Sequence, residues 1–384
     1  MAHTPSALQS EWSLLRAACS QLTSAQDLAA QLQPSICWKS LFDLADHHGV
    51  LPIICQRLSG IAELVPADDM RTLNHSYQTN LHKAMLLSLE LIRIYDRLSS
   101  SGVEVLAYKG LALAEAIYSD MALRRAGDID LLIHASDFPR IRDAVRELGY
   151  KAHQQIREAQ EHAYLKSGYE YVFDGPAGPN LLELQWAIQP RFYAVDFDMD
   201  GLFRRAVTIS VAGRPMKAPS EEDLFILLSL HAAKHVWGRL IWLCDLARIM
   251  NLPNLNWLAI GAQARDLNVV RILRVGMLLA NRILAAAIPP AAEAGLPPDD
   301  AAEKLADEIH PNVVRDAPFN VESFAYFRLM VRLRERNSDR LRFLTRLIFT
   351  PGPGEWDAVR LPPGFSPLYR LVRFSRLTAR VLRT

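Results

Sequence analysis

Arg124-Arg125-Ala126-Gly127-Asp128-Ile129-Asp130-Leu131-Leu132-Ile133 is the stretch from which the fold of this 384-residue chain is read. In an extended strand, side chains alternate, so Ile129, Leu131 and Ile133 fall on one side while Asp128 and Asp130 fall on the other. Two carboxylates held side by side repel each other unless a cation sits between them. A hard divalent ion such as Mg²⁺ takes such oxygen ligands and completes its shell with substrate phosphates. Standing alone, Asp-x-Asp is more often a solvated strand edge; its surroundings change that reading.

Upstream, Val103 to Tyr108 reads as a strand, Lys109-Gly110 as a turn, and Leu111 to Tyr118 carries helical spacing. A glycine where a strand turns into a helix lets backbone N–H groups at the helix start meet a polyphosphate, and Lys109 adds a point charge there. The order strand, glycine, helix, loop, Asp-x-Asp strand is far more specific than any one part. Downstream, Ser136 is an expected N-cap with Pro139 in the first turn, and Phe138, Ile141, Val145 and Leu148 mark one helical face before Gly149 ends it. Strands at Tyr169 to Asp174 and Leu181 to Ile188 flank the turn-rich residues 175–180, and a last hairpin joins Val207–Val211 to Pro215–Lys217. Residues 102–218 therefore form an α+β unit.

Helices are expected on both sides of it. In residues 1–101 the stripe Leu73, Tyr77, Leu81, Met85, Ile92, Tyr95 runs until Ser99-Ser100-Ser101-Gly102. In residues 219–384 a capping box at Ser220 opens a long apolar run, with breaks at Pro289-Pro290, Pro297-Pro298 and Pro351–Gly354.

Half of the residues are apolar and 22% are charged, which excludes a disordered chain. Cys19, Cys37, Cys55 and Cys244 form no CxxC pair, so a reducing, cytoplasmic setting is expected rather than a disulfide framework or zinc ribbon. No signal peptide or spanning segment is expected, since the most apolar stretch, 268–288, carries Arg271, Arg274 and Arg282. The net charge of +1 conceals 13 Arg, no Lys and 5 acids in residues 321–384, a local +8. The acid-free end from Ser366 mixes Arg with Leu, Val and Phe. Packing over the core is its first reading, ahead of an anionic membrane or nucleic acid.

The chain resembles the nucleotidyltransferase superfamily that shares the polymerase-β-like core. More closely, it is similar to the bacterial uncharacterised nucleotidyltransferase family. The resemblance rests on Tyr108-Lys109-Gly110, on Leu123-Arg124-x-x-Gly127-Asp128-Ile129-Asp130-Leu131-Leu132, and on Glu183-Leu184-Gln185-Trp186. It extends through His231 to Asp245 and to the Leu361 to Arg370 stretch, so most of the chain is covered. It implies a mixed sheet between helical modules, a metal-binding pair at Asp128 and Asp130, and a third carboxylate at Glu183. Nucleotide binding is implied at Lys109, Gly110 and Arg124. Two departures stand out: Leu111 and Ala112 follow Gly110 where the superfamily has a serine, and Gln185 stands where the close family often has histidine.

Lys234, His235 and Arg239, set among Trp237, Leu240, Trp242 and Asp245, form a polar seam that suits substrate contact or an interdomain interface. His231 and His235 share a helical face, but no third ligand at a recognisable spacing follows, so zinc is not expected. The expected activity is Mg²⁺- or Mn²⁺-dependent transfer of a nucleoside monophosphate from an NTP, ATP being the expected donor, to a hydroxyl. The acceptor is a small molecule, sugar, peptide or protein rather than nucleic acid. Two alternatives remain: a sugar-nucleotide glycosyltransferase that uses Asp-x-Asp, and a catalytically degenerate interaction module.

Overall fold

The computed structural model describes residues 8–125, 127–153, 158–176, 178–314, 323–351, 355, 359, 361, 365 and 368–381. Its strands are β1 (Val105–Tyr108), β2 (Ile129–Ile133), β3 (Lys151–Ala152), β4 (Glu170–Gly175), β5 (Gly178–Gln185), β6 (Val207–Val211) and β7 (Arg214–Ala218). The main sheet runs β1-β2-β5-β4-β3, and β6 and β7 make a separate hairpin. β2 and β5 are parallel and every other neighbouring pair in the main sheet is antiparallel, so the sheet is mixed. A parallel pair needs a long crossover. Here the crossover holds the Phe138–Glu147 helix together with β3 and β4.

Period-two alternation sends the strand residues to two separate cores. Val105, Ala107, Ile129, Leu131, Ile133, Tyr171, Phe173, Leu182 and Leu184 face the Phe138–Glu147 helix and the second half of the Ala67–Ser100 helix. Leu106, Tyr108 and Leu132 face the larger core, which the helices before and after the sheet build together. In that core Trp12, Leu14 and Leu15 join residues of the Glu221–Lys234, Leu240–Met250 and Val270–Leu284 helices. Polar links cross the same boundary: Arg16 Nε donates to the Ile283 carbonyl at 2.8 Å, and the Leu240 amide to His48 Nδ1 at 3.3 Å. The leading and trailing helices are thus continuous in space, and the Ala67–Ser100 helix spans both cores.

Several local readings shift. β1 starts at Val105 rather than Val103, because Gly102 at φ 68° and the Val103 amide, bonded to the Leu98 carbonyl at 3.2 Å, are spent closing the preceding helix. The expected four-residue stripe drifts, since each such step over-rotates a helix by about 40°. Met85 consequently faces solvent, while Asn80, Ala84, Leu87, Leu91, Ile94 and Leu98 hold the buried side. A short 3₁₀ turn over Ala135–Asp137 moves the helix start past Ser136 to Phe138. The Glu158–Ser167 helix, which lacks an apolar stripe, and the short β3 and Met199–Arg204 elements were not legible.

At the far end the Tyr369–Val381 helix packs on the Asn337–Phe349 helix, with Tyr369 buried and Arg373 Nε donating to the Leu347 carbonyl at 2.7 Å. The expected break at Gly352–Gly354 and the last residues 382–384 lie outside the described residues. No described helix is long and apolar enough to cross a membrane.

Candidate active site

The cleft opens on the sheet face that carries Tyr108 and Leu132. Register decides its chemistry: Asp130 on β2 lies directly beside Glu183 on β5, and Leu132 beside Gln185. Because residues two apart on a strand share a face, Glu183 and Gln185 point the same way as Asp130. The Gln185 amide ties the two acids together, its Nε2 donating to Asp130 Oδ1 at 3.1 Å and to Glu183 Oε2 at 3.0 Å. Asp128 precedes the strand instead of lying in it, yet it lines the same cleft. Asp130 is buried.

Lys109 turns the chain from β1 into the helix that starts at Gly110. Its backbone sits at φ 57°, ψ −153°, a region that only glycine occupies without strain, and Gly110 follows at φ 41°. The Lys109 carbonyl accepts from the Leu113 amide at 2.9 Å, which leaves the amides from Gly110 to Ala112 ahead of the first helical bond. The strained turn aims the ammonium at the acids, with Nζ 3.5 Å from Asp130 Oδ1 and 4.5 Å from the centre of the Tyr108 ring.

These charges are strongly coupled to their surroundings. Burial, then Asp130, push the Asp128 carboxyl up to about 6, against the pull of Lys109 and Arg124. Burial, then Asp130, Glu170 and Asp128, push Glu183 up to about 8. Burial works against the Lys109 ammonium, but Asp130, Glu183 and Glu170 outweigh it and raise its pKa, so it stays charged.

Arg124 lines the cleft as well, but its guanidinium is already engaged. Nε lies 3.1 and 3.2 Å from the two Asp245 oxygens and Nη2 lies 3.1 Å from Oδ2, while Tyr118 donates to the same carboxylate at 2.7 Å. The whole bridge is buried. It bolts the loop that leads into Asp128 and β2 to the Leu240–Met250 helix.

That helix and the end of the Glu221–Lys234 helix form the opposite wall. His235 stacks on Trp242 with centroids 5.1 Å apart, His231 meets the same indole edge-on at 5.6 Å, and Arg239 lies 5.9 Å from it. Burial, helped by Lys234 and Lys109, lowers His235 to about 4, and His231 is lowered by burial and Lys109, so both imidazoles are neutral at physiological pH. Lys234 Nζ donates to the Tyr169 hydroxyl at 3.1 Å, and Tyr169 donates in turn to Glu170. The linking turn holds Val236 and Trp237 at φ 53° and 50°, fixed by their amides bonding back to Ala233 and Ala232. Lys234, His235 and Arg239 therefore face the acids across a cleft of about 1040 Å³.

Glu170, Tyr169 and Lys83 line this cleft without having been singled out in the sequence. Glu170 lies beside Gln185 in the β4–β5 register, so its place follows from strand order, which no local pattern discloses. Among the described residues, no three His, Cys, Asp or Glu side chains stand close enough to make a ready metal site. The donors nonetheless suit a hard divalent cation. They are oxygens only, and two of them are held out of their ordinary range by burial and mutual repulsion that such an ion would relieve.

Residues 34–285 match the family described as "Uncharacterised nucleotidyltransferase". A solved structure of an antigenic nucleotidyltransferase-like protein from Paracoccidioides brasiliensis is similar over 56% of this chain and 96% of its own, at 17% identity and a TM-score of 0.34. No curated protein matches.

Proposed function

Because the chain belongs to the uncharacterised nucleotidyltransferase family, we propose that it transfers a nucleoside monophosphate from an NTP, with ATP the expected donor, to an acceptor hydroxyl and releases pyrophosphate. One rung of the sheet carries this reading: Asp130 and Glu183 adjacent across parallel strands, Asp128 beside them, and the Lys109 ammonium held over Asp130. Asp128, Asp130 and Glu183 would hold Mg²⁺ or Mn²⁺. A divalent ion bound there supplies charge neutralisation on the phosphates and alignment of the reacting oxygens.

The chain's own groups do the rest. Lys109 and the backbone of the Lys109-Gly110 turn meet the phosphate oxygens, and Arg124, fixed from behind by Asp245, adds its charge to that wall. Lys234, Arg239 and neutral His235 contact the substrate from the facing helices. The acceptor oxygen forms a bond to the α-phosphorus as the bond to the pyrophosphate oxygen breaks. Glu183, which keeps its proton in the metal-free cleft because burial, Asp130, Glu170 and Asp128 disfavour its charge, takes the acceptor proton as a carboxylate once a bound cation offsets that repulsion. The acceptor class stays as expected from the sequence: a small molecule, sugar, peptide or protein, with the cytoplasm as the expected setting.

Incubation with each α-labelled NTP, Mg²⁺ or Mn²⁺ and host-cell extract tests the reading. Labelled acceptor is expected with the natural protein, and Asp128→Asn and Asp130→Asn are each expected to lose on the order of a thousandfold in rate. Full transfer in either variant would overturn the assignment.

A further inference from the structure

Large apolar side chains open to solvent gather in the last helices. Leu341 is 64% exposed, Leu344 40% and Phe349 53%, and Leu368 and Leu371 are 41% and 64% exposed. The first two share a face of the Asn337–Phe349 helix with Ile348, at i, i+3 and i+7. The opposite face is already satisfied: Phe343 and Leu347 are buried, and the Phe343 ring lies 6.4 Å from Tyr193. Leu368 and Leu371 repeat the i, i+3 spacing at the start of the Tyr369–Val381 helix, which packs beside it. Among the described residues these stripes face solvent rather than either core.

Charge says what covers them. The 13 Arg and 5 acids of residues 321–384 leave a local +8. Part of that charge is spent inside the fold, where Glu355 pairs with Arg373 and Arg376 at 3.1 and 2.9 Å, Asp196 with Arg342 and Arg346, and Glu308 with Arg332 at 2.6 Å, but these acids are fewer than the arginines they meet. Exposed Arg336 precedes the first stripe and exposed Arg370 adjoins the second. Self-association would bring two such cationic surfaces together, and aliphatic side chains outnumber the exposed Phe349 ring in these stripes, which favours acyl chains over stacked bases. Aliphatic stripes flanked by arginine match the boundary between anionic headgroups and acyl chains.

We propose that this C-terminal helical face docks the protein on an anionic lipid bilayer, lying on the membrane surface. The inference is independent of the chemistry in the cleft. It is tested by flotation of the intact protein with vesicles of phosphatidylcholine alone or mixed with phosphatidylglycerol. Binding is expected to the anionic vesicles, to weaken strongly in about 0.5 M salt, and to fall about tenfold or more in Leu341→Glu/Leu371→Glu. Melting of that exposed-site variant should be unchanged, and Arg336→Gln/Arg370→Gln, which spares the apolar stripes, should reduce anionic binding as well. No preference for anionic over neutral vesicles, or full vesicle binding by both double variants, would overturn the proposal. A dimer in light scattering that Leu341→Glu/Leu371→Glu dissolves, or RNA binding without vesicle binding, would likewise reassign the face.

Discussion

Neutralising Glu183 should make the metal-free protein more stable at alkaline pH. Glu183→Gln keeps an amide oxygen to accept from Gln185 Nε2, whose present bond to Glu183 is 3.0 Å long. It removes a charge that burial, Asp130, Glu170 and Asp128 all disfavour. The carboxyl moves from 4.5 to about 8 on folding, so between those values the folded chain binds more protons than the unfolded chain. Stability from this group is therefore complete below the unfolded value and is lost as pH rises through the folded one, at up to about 1.4 kcal/mol per pH unit. The cumulative loss is on the order of 3–5 kcal/mol by pH 9. The buried histidines act with opposite sign: His48 and His235, lowered to about 3 and about 4, destabilise the fold as pH falls below their ordinary value. Subtracting the Glu183→Gln profile from the natural one cancels them. The assay is urea unfolding of both proteins from pH 5 to 9 without divalent ions, then with Mg²⁺, which should favour the natural protein. A variant that is no more stable than the natural protein at pH 8.5 in the absence of Mg²⁺ would refute a repelling acid cluster.

Two further outcomes rest on the same site. At position 109 glycine should outrank alanine in stability by about 1–3 kcal/mol, the reverse of the usual order, because φ 57° and ψ −153° suit only glycine; equal denaturation midpoints would show that the turn relaxes, and both variants should bind NTP more weakly by calorimetry. Asp245→Asn and Arg124→Ala should each cost about 3–5 kcal/mol by stranding the partner's buried charge, whereas Arg124→Met with Asp245→Leu should recover most of it. Unchanged urea midpoints in the single variants would return Arg124 to a purely phosphate-facing role.

How much of this was legible depended on how far apart the cooperating residues lie in the chain. Lys109-Gly110 and Asp128-x-Asp130 could be read because strand alternation and a strand-to-helix turn are local events, fixed by a few neighbouring residues. Glu183 was reached through resemblance alone. Its partnership with Asp130 depends on β5 crossing back to lie parallel to β2, and no spacing within either strand encodes that register. Arg124 was legible as a cleft residue but not as the partner of Asp245, 121 positions away, because a buried pair forms only when two helical walls close on the sheet. The same closure bears on three of the non-glycine residues held at positive φ. Lys109 holds positive φ in the cleft, and Val236 and Trp237 hold it in the buried turn that joins the two helices of the opposite wall, where propensity alone would place glycine. Long-range packing and side-chain charge override local preference at those residues. A sequence read through local preference misses them because the surrounding core offsets a backbone cost that no neighbouring residue in the chain records.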